Sequence, residues 1–298
     1  MRRLRPSIRP ATYSRVMTSY TAVCLLVLAG ARPLAAASYE LLPNQDARIL
    51  GLPGYENANF GADILSVYTQ GHNIQRTLMQ FDLNGVVLEP GQRLASATLS
   101  LAASLGFGGS NGKATEIYAV ARPWTETGLT WNRATPSTPW SVPGGDFLGR
   151  GWAANGQPFA VSTATPAQNG EPITWDVREL VDQWLEGFAP NHGLLLKSYE
   201  GNGLVFTQRE SSSADLRPVL RLVTEPGPPR LRIERDVATD DVVLSWRGVG
   251  TAVLQERAAL ASGPAWADSA LPVATANGRS AVTLAPEATA RLYRLRPK

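Results

Sequence analysis

The sequence has little of what thiol, metal and nucleophile chemistry needs. It holds one cysteine, Cys24, and two histidines, His72 and His192. Cys24 falls in an N-terminal segment that reads as a leader. The rest of the chain therefore has no disulfide, no thiol nucleophile and no thiolate metal ligand. Each histidine lies in a turn, and neither has a second at metal-binding spacing. Lysines number only three, so composition points to no patch for an anionic sugar. The longest apolar run is shorter than the ~20 residues that span a bilayer.

Positive charge is also scarce once position is considered. The formal net charge is +3, yet residues 1–37 carry six arginines (Arg2, Arg3, Arg5, Arg9, Arg15, Arg32) and no acid. The remainder has 22 basic residues against 25 acidic, a net −3. A high pI that belongs to the leader is no argument for nucleic acid. That leader, residues 1–37, has an arginine-rich start, an apolar run from Thr21 to Ala31 and Ala35-Ala36-Ala37 as a small-residue cleavage site; Met17 is an alternative start. It predicts a secreted protein, extracellular or at the cell surface, with the periplasm as the other compartment. No membrane insertion is expected after cleavage, and the oligomeric state stays open.

What is present is strand pattern. Tyr39 to Leu42, Ala47 to Leu50, Leu65 to Tyr68, Arg76 to Asp82, Leu94 to Leu101 and Thr115 to Val120 are short apolar or alternating runs bounded by Gly, Pro or Asn. The clearest alternation sets Ala97, Leu99 and Leu101 inward against Ser96, Thr98 and Ser100. Ile173 to Trp175, Leu194 to Lys197, Leu204 to Gln208 and Val219 to Val223 complete the set. Between them, Arg122 to Glu171 shows little periodicity but carries Trp124, Trp131, Trp140 and Trp152, as a functional loop or one with minor strands would.

One helix interrupts the strands. Val177, Leu180, Val181, Trp184 and Leu185 share a helical face. Asp176 and Glu179 read as a capping box, and Gly187 as a left-handed C-cap. So short a helix must dock on something, and it is expected to close one end of a sandwich. The fold class expected is all-β: an antiparallel jelly-roll β-sandwich over 38–224 with one short helix. A Pro/Gly linker at 225–230 leads to a small all-β module over 231–298. There Asp240-Asp241 makes the first hairpin turn, and Trp246 and Trp266 are expected in the core.

Several blocks occur in order along the first domain: Asp46-Ala47, Asn59-Phe60-Gly61, Arg76 to Asp82 and Ala97-Thr98-Leu99. Trp124-Thr125-Glu126 with Thr130-Trp131-Asn132 follows, then Asp176-Val177, Trp184, Asn191-His192-Gly193, Phe206, Arg209-Glu210 and Arg217-Pro218. With these the domain resembles the DNRLRE family, which overlaps the family 96 carbohydrate-binding modules and the disaggregatase-related repeats. The tail, with Leu244 to Trp246, Leu254 to Glu256 and Leu292 to Leu295, resembles short fibronectin type III-like modules of secreted proteins. The resemblance implies a β-sandwich that binds extracellular polysaccharide, often attached to a carbohydrate-active enzyme. No catalytic domain is attached here, so a non-catalytic role is expected.

The candidate residues follow. Trp140, Trp152 and Trp131 are the candidate sugar-facing rings, because aromatic faces stack on pyranose C–H groups and loops carry function; the other reading of Trp124 and Trp131 is that they pin the loop. Arg76, Trp124, Glu126, Asp176, Trp184, Arg209, Glu210 and Arg217 read as structural, the arginines wanting carboxylates such as Glu210 and Asp176. No motif demands a cofactor. Asp46 and Asp82 are candidate ligands for Ca²⁺, which oxygen-only sites suit better than zinc; strand-end capping or pairing with arginine is the competing reading. Gly108 to Gly112 matches G-x-S-x-G around Ser110, but strand follows where the chemistry needs a helix. An envelope spacer, or a lyase or hydrolase using Glu126, Asp146 or Asp182, are the alternative functions.

Overall fold

The computed structural model describes residues 35–298 except 90, 105–113, 200, 237, 249, 259–264, 277 and 286–290. Most of the predicted leader and the Gly108 to Gly112 segment lie outside the described residues. The described residues fall in one compact unit.

The short apolar runs become antiparallel strands: β1 (Ser38–Leu41), β2 (Gln45–Leu50), β3 (Leu65–Gln70), β4 (Asn73–Gln80), β5 (Gln92–Ser104), β6 (Thr115–Val120), β7 (Phe147–Leu148), β8 (Ala160–Ser162) and β9 (Glu171–Asp176). Helix α1 (Arg178–Leu185) follows, then β10 (Leu194–Ser198), β11 (Asn202–Phe206) and β12 (Val219–Pro226). All are hydrogen-bonded into one antiparallel system that wraps an all-β sandwich, in the order β1-β12-β5-β11-β3-β4-β10-β6-β7, with β2 on β4, β8 on β6 and β9 on β5. The long strand β5 pairs with β12, β9 and β11, so it ties the layers together.

Side-chain alternation explains the core. Ala97, Leu99 and Leu101 are fully buried, while Ser96, Thr98 and Ser100 on the other face are half-buried. Strand β10 lies between β4 and β6, and its leucines have no solvent face because apolar residues cover both sides of it. Leu194 and Leu196 enter the main core; Leu195 points to a second cluster outside the sheet.

Helix α1 puts Leu180, Val181 and Trp184 into the main core, each stabilising by about 1.5–3 kcal/mol through burial. The cap differs from the expected box. The Asp176 carboxylate accepts the Arg178 N–H at 2.9 Å, while Glu179 turns outward to Arg150 at 3.1 Å. At the other end Gly187 has φ +70°; Gly187 N–H reaches Trp184 O and Phe188 N–H reaches Gln183 O, which together form a Schellman closure.

Strand β12 continues through Pro226, opposite Gln92, so the Pro/Gly segment begins inside the sheet. Beyond it lie β13 (Arg232–Arg235), β14 (Val242–Arg247), β15 (Ala252–Ala258), β16 (Ala267–Asp268), β17 (Ala274–Ala276), β18 (Arg279–Leu284) and β19 (Arg291–Pro297). They form a four-stranded and a three-stranded antiparallel sheet around Leu244, Trp246, Leu254 and Val282. Trp266 departs from expectation: it is half-buried, with Arg294 4.4 Å and Arg257 5.5 Å from its ring.

Candidate functional site

The stretch from Ala121 to Asp146 folds back over the outer face of β2, β4 and β10. It carries its own core: Trp124, Leu129, Ala134 and Trp140 pack on Ala47, Ile49, Leu78 and Leu195. The indole N–H of Trp124 donates to His192 O at 2.9 Å. That of Trp140 donates to Thr130 O at 3.1 Å. Trp140 is only 4 % exposed, so it is not the solvent-facing ring its Pro- and Ser-rich neighbours suggested. A loop that covers a sheet must bury apolar side chains of its own.

One edge of this cover is sealed by charge. Asp46 on β2 is fully buried. Its backbone N–H donates to Glu126 at 3.2 Å, and its carboxylate accepts the Arg209 N–H at 2.9 Å. The Arg209 guanidinium reaches Glu126 at 2.8 Å, Glu210 at 2.7 Å and Asp46 at 3.8 Å. Asn59, on the loop between β2 and β3, donates to the carbonyls of Glu126 and Leu129, both at 2.7 Å. Gln45 links Trp124 O and Glu126 N. Burial pushes the Asp46 carboxyl up to about 7, with Glu210 and Glu126 adding to the effect.

Asp46, Glu126 and Glu210 bring carboxylate oxygens within 4.8 Å of one another, and among the described residues the buried Oδ1 of Asp46 has no hydrogen-bond partner. Such oxygens would suit a hard cation, but the guanidinium already supplies positive charge among them. Asp82, the second expected metal ligand, is not brought to this group. It is exposed and accepts the Asn84 N–H at 2.9 Å. The sequence reading named Asp46, Glu126, Arg209 and Glu210 one by one; the convergence on Asn59 and Gln45 it missed.

The opposite edge of the cover is open. Arg76 on β4 extends between Trp131 and Phe147, 5.0 and 5.3 Å from their rings. Its Nη1 donates to Gly144 O at 2.6 Å. Gly144 has φ +96°, and a Cβ there would lie 2.7 Å from Arg76 Nη1. Among the described residues no carboxylate comes within ion-pair range of Arg76, its buried Nε has no partner, and burial pulls its pKa down to about 10. It lines a pocket of about 520 Å³ with Arg122, Ser141, Val142, Asp146 and Phe147.

The same outer face continues through β6 and β10. The Lys197 ammonium lies 4.6 Å from the Tyr118 ring, 5.4 Å from Phe147 and 6.0 Å from Tyr199. Buried Glu116 accepts both tyrosine hydroxyls, at 2.9 and 2.6 Å, and sits 3.5 Å from Lys197. Tyr199 is half exposed. The strip Arg76–Phe147–Lys197–Tyr199 thus alternates cation and aromatic ring. Sequence spacing could have suggested that strand neighbours share a face, but not which face stays open.

The other expected residues lie apart. Trp131 is half-buried as a wedge under Arg76, and Trp152 is half-buried beside α1. Arg217 donates from Nε to Ser211 O at 2.8 Å and Asp176 accepts the Arg178 N–H; among the described residues neither makes the expected ion pair. Asp146 pairs with Arg122 at 2.7 Å. His72 is exposed; His192 is half-buried, and burial lowers its pKa.

Residues 59–222 match the model of the disaggregatase related repeat domain. The chain belongs to the disaggregatase-related repeat family. The match takes in Arg76, Glu126, Phe147, Lys197, Arg209 and Glu210, and leaves Asp46 and the C-terminal module outside. In this disaggregatase-related repeat, the two edges of one covering loop therefore differ: one is closed by ion pairs, the other opens on a cation. No curated protein gives a significant match.

Proposed function

We propose that the chain is a secreted, non-catalytic polysaccharide-binding protein, and that it holds acidic glycans along the outer strip Arg76–Phe147–Lys197–Tyr199. One observation carries this reading: Arg76 is a desolvated guanidinium that no carboxylate of the described residues neutralises. A buried cation left without a counter-ion is costly, and a planar carboxylate from outside is the group a guanidinium fork suits best. Phe147 and Tyr199 offer apolar faces beside it for pyranose rings. The Asp46 seam is the scaffold that keeps the loop in place. On this reading export places the strip outside the cell, and affinities fall in the ~mM to ~µM range usual for a shallow surface.

Electrophoretic retention in gels containing polyguluronate, polygalacturonate or neutral glucan tests it. The full chain should be retarded most by an acidic polymer; equal mobility in every gel contradicts the reading. A second reading, an envelope spacer, draws on the C-terminal module, whose Arg247 and Arg279 approach Glu186 of the helix end at 3.5 and 3.7 Å. Surface retention without glycan retention would favour it.

A further inference from the structure

We propose that a second cleft, between helix α1 and the start of the C-terminal module, binds uncharged sugar units, with Trp152 as its stacking face. The inference rests on the glycan reading above but concerns a different site and a different sugar class. Trp152 has φ +56°, a left-handed backbone that a bulky residue adopts only under constraint. The surrounding turn enforces it. Trp152 N–H reaches Gly149 O at 3.0 Å, Gly149 N–H reaches Ala153 O at 2.9 Å and Arg150 N–H reaches Gln157 O at 2.7 Å. Gly149 and Gly156 pass so closely that a Cβ on Gly149 would lie 2.2 Å from Gly156 O. The indole is then locked from two sides: its N–H donates to Gln183 Oε1 at 2.5 Å, and its ring rests 5.6 Å from Phe159. Strain held this firmly is the mark of a side chain being presented.

What it faces is a cleft of about 330 Å³, within the range of small-ligand sites. Gln183 and Asp182 of α1 and Phe188 line it together with Arg230, at the end of the linker, and Arg232 of the C-terminal module. The charges here are matched, unlike that of Arg76. Glu179 pairs with Arg150 at 3.1 Å, Asp182 with Arg230 at 2.8 Å, and Arg232 with Glu234. Paired acids and guanidinium groups offer both acceptors and donors to hydroxyls, and each guanidinium already faces a carboxylate, so none is set aside for an anion. The lining is fixed because Phe188 lies between Arg232 and Arg279, 4.0 and 3.8 Å from its ring. The C-terminal module thereby acquires a role: without it the cleft loses Arg232 from its lining. Two sites of different charge preference on one chain would let a mixed polymer bind by avidity.

The test uses the full chain labelled with fluorotryptophan, with the Trp152 resonance assigned from Trp152→Phe. It is titrated with cellohexaose, mannohexaose, laminarihexaose and a guluronate tetramer. The Trp152 resonance should shift saturably with a neutral hexasaccharide, but not with the uronate. Gln183→Leu should weaken that binding at least fivefold, and Gln183→Glu, which keeps an acceptor for the indole, should restore it. Glu40→Gln, on an exposed surface pair, should leave it unchanged. A Trp152 resonance unmoved by every neutral sugar at about 10 mM overturns the cleft. Retention of the same sample by polyuronate would show that the Arg76 reading survives that failure.

Discussion

Arg209 and Arg76 sit on opposite edges of one covering loop and live in opposite surroundings. Arg209 is held among Asp46, Glu126 and Glu210, and its hydrogen bonds to Glu126 raise its pKa. Arg76 has one backbone carbonyl and two aromatic rings, and burial lowers its pKa to about 10. The contrast teaches how to tell architecture from a site on this fold. A cation held by the chain's own carboxylates closes a seam; on the proposed reading, a desolvated cation that meets none among the described residues is left for something outside the chain.

The comparison can be broken at either edge. Arg209→Ala should have the largest effect on stability, about 2–3 kcal/mol by urea denaturation, because it strands carboxylates of which Asp46 is fully buried; a loss well under 1 kcal/mol would mean the seam is idle. Arg76→Met should do the reverse. Replacing an unpaired buried cation by an apolar chain is neutral or stabilising by about 1 kcal/mol, so a clear drop in the urea midpoint would count against the reading.

The junction with the C-terminal module offers a third, pH-dependent contrast. Burial, with Glu186 adding, raises the Asp182 carboxyl to about 7. Between about pH 4 and 7 the folded state then holds a proton that the unfolded chain releases, so stability falls as pH rises through that window. Asp182 should account for a loss of about 1–2 kcal/mol between pH 5 and pH 8, less than the full shift implies because Arg230 stands opposite. Asp46, whose carboxyl burial also raises to about 7, adds to the same slope, so Asp182→Asn should make it shallower without abolishing it; an unchanged slope leaves the titration to Asp46. The smallest effect belongs to the exposed pair Arg221–Glu40, whose side chains are 53 % and 67 % exposed. Glu40→Gln should change stability by less than about 0.5 kcal/mol, and a larger change would show that exposure is a poor guide here.

Much of the fold was legible because burial imposes a period. The alternation at Ala97, Leu99 and Leu101, and the helical face of Leu180, Val181 and Trp184, each say which side faces apolar surroundings. The all-apolar Leu194 to Leu196 says that both sides do. The site was less legible because it depends on pairing across distance. Asp46, Glu126 and Arg209 meet only once a loop from the middle of the chain folds over β2. Locally Arg209 differs from Arg76 only in its neighbour Glu210; its other acids, Asp46 and Glu126, lie far away in sequence. Trp140 misled for the same reason, since its polar neighbours lie on the loop's outer side while the ring turns inward. The docking of Arg230, Arg247 and Arg279 on the end of α1 was hidden by a Pro/Gly segment that reads as a spacer.

The central claim is that Arg76 waits for an acidic group from outside the chain. Calorimetric titration of a guluronate tetramer into wild type and Arg76→Met, at matched ionic strength, tests it most directly. The account predicts saturable binding to wild type and a loss of at least tenfold, about 1.4 kcal/mol, in the variant, with both proteins equally stable. Equal affinity for the two, or no heat from either, would contradict it.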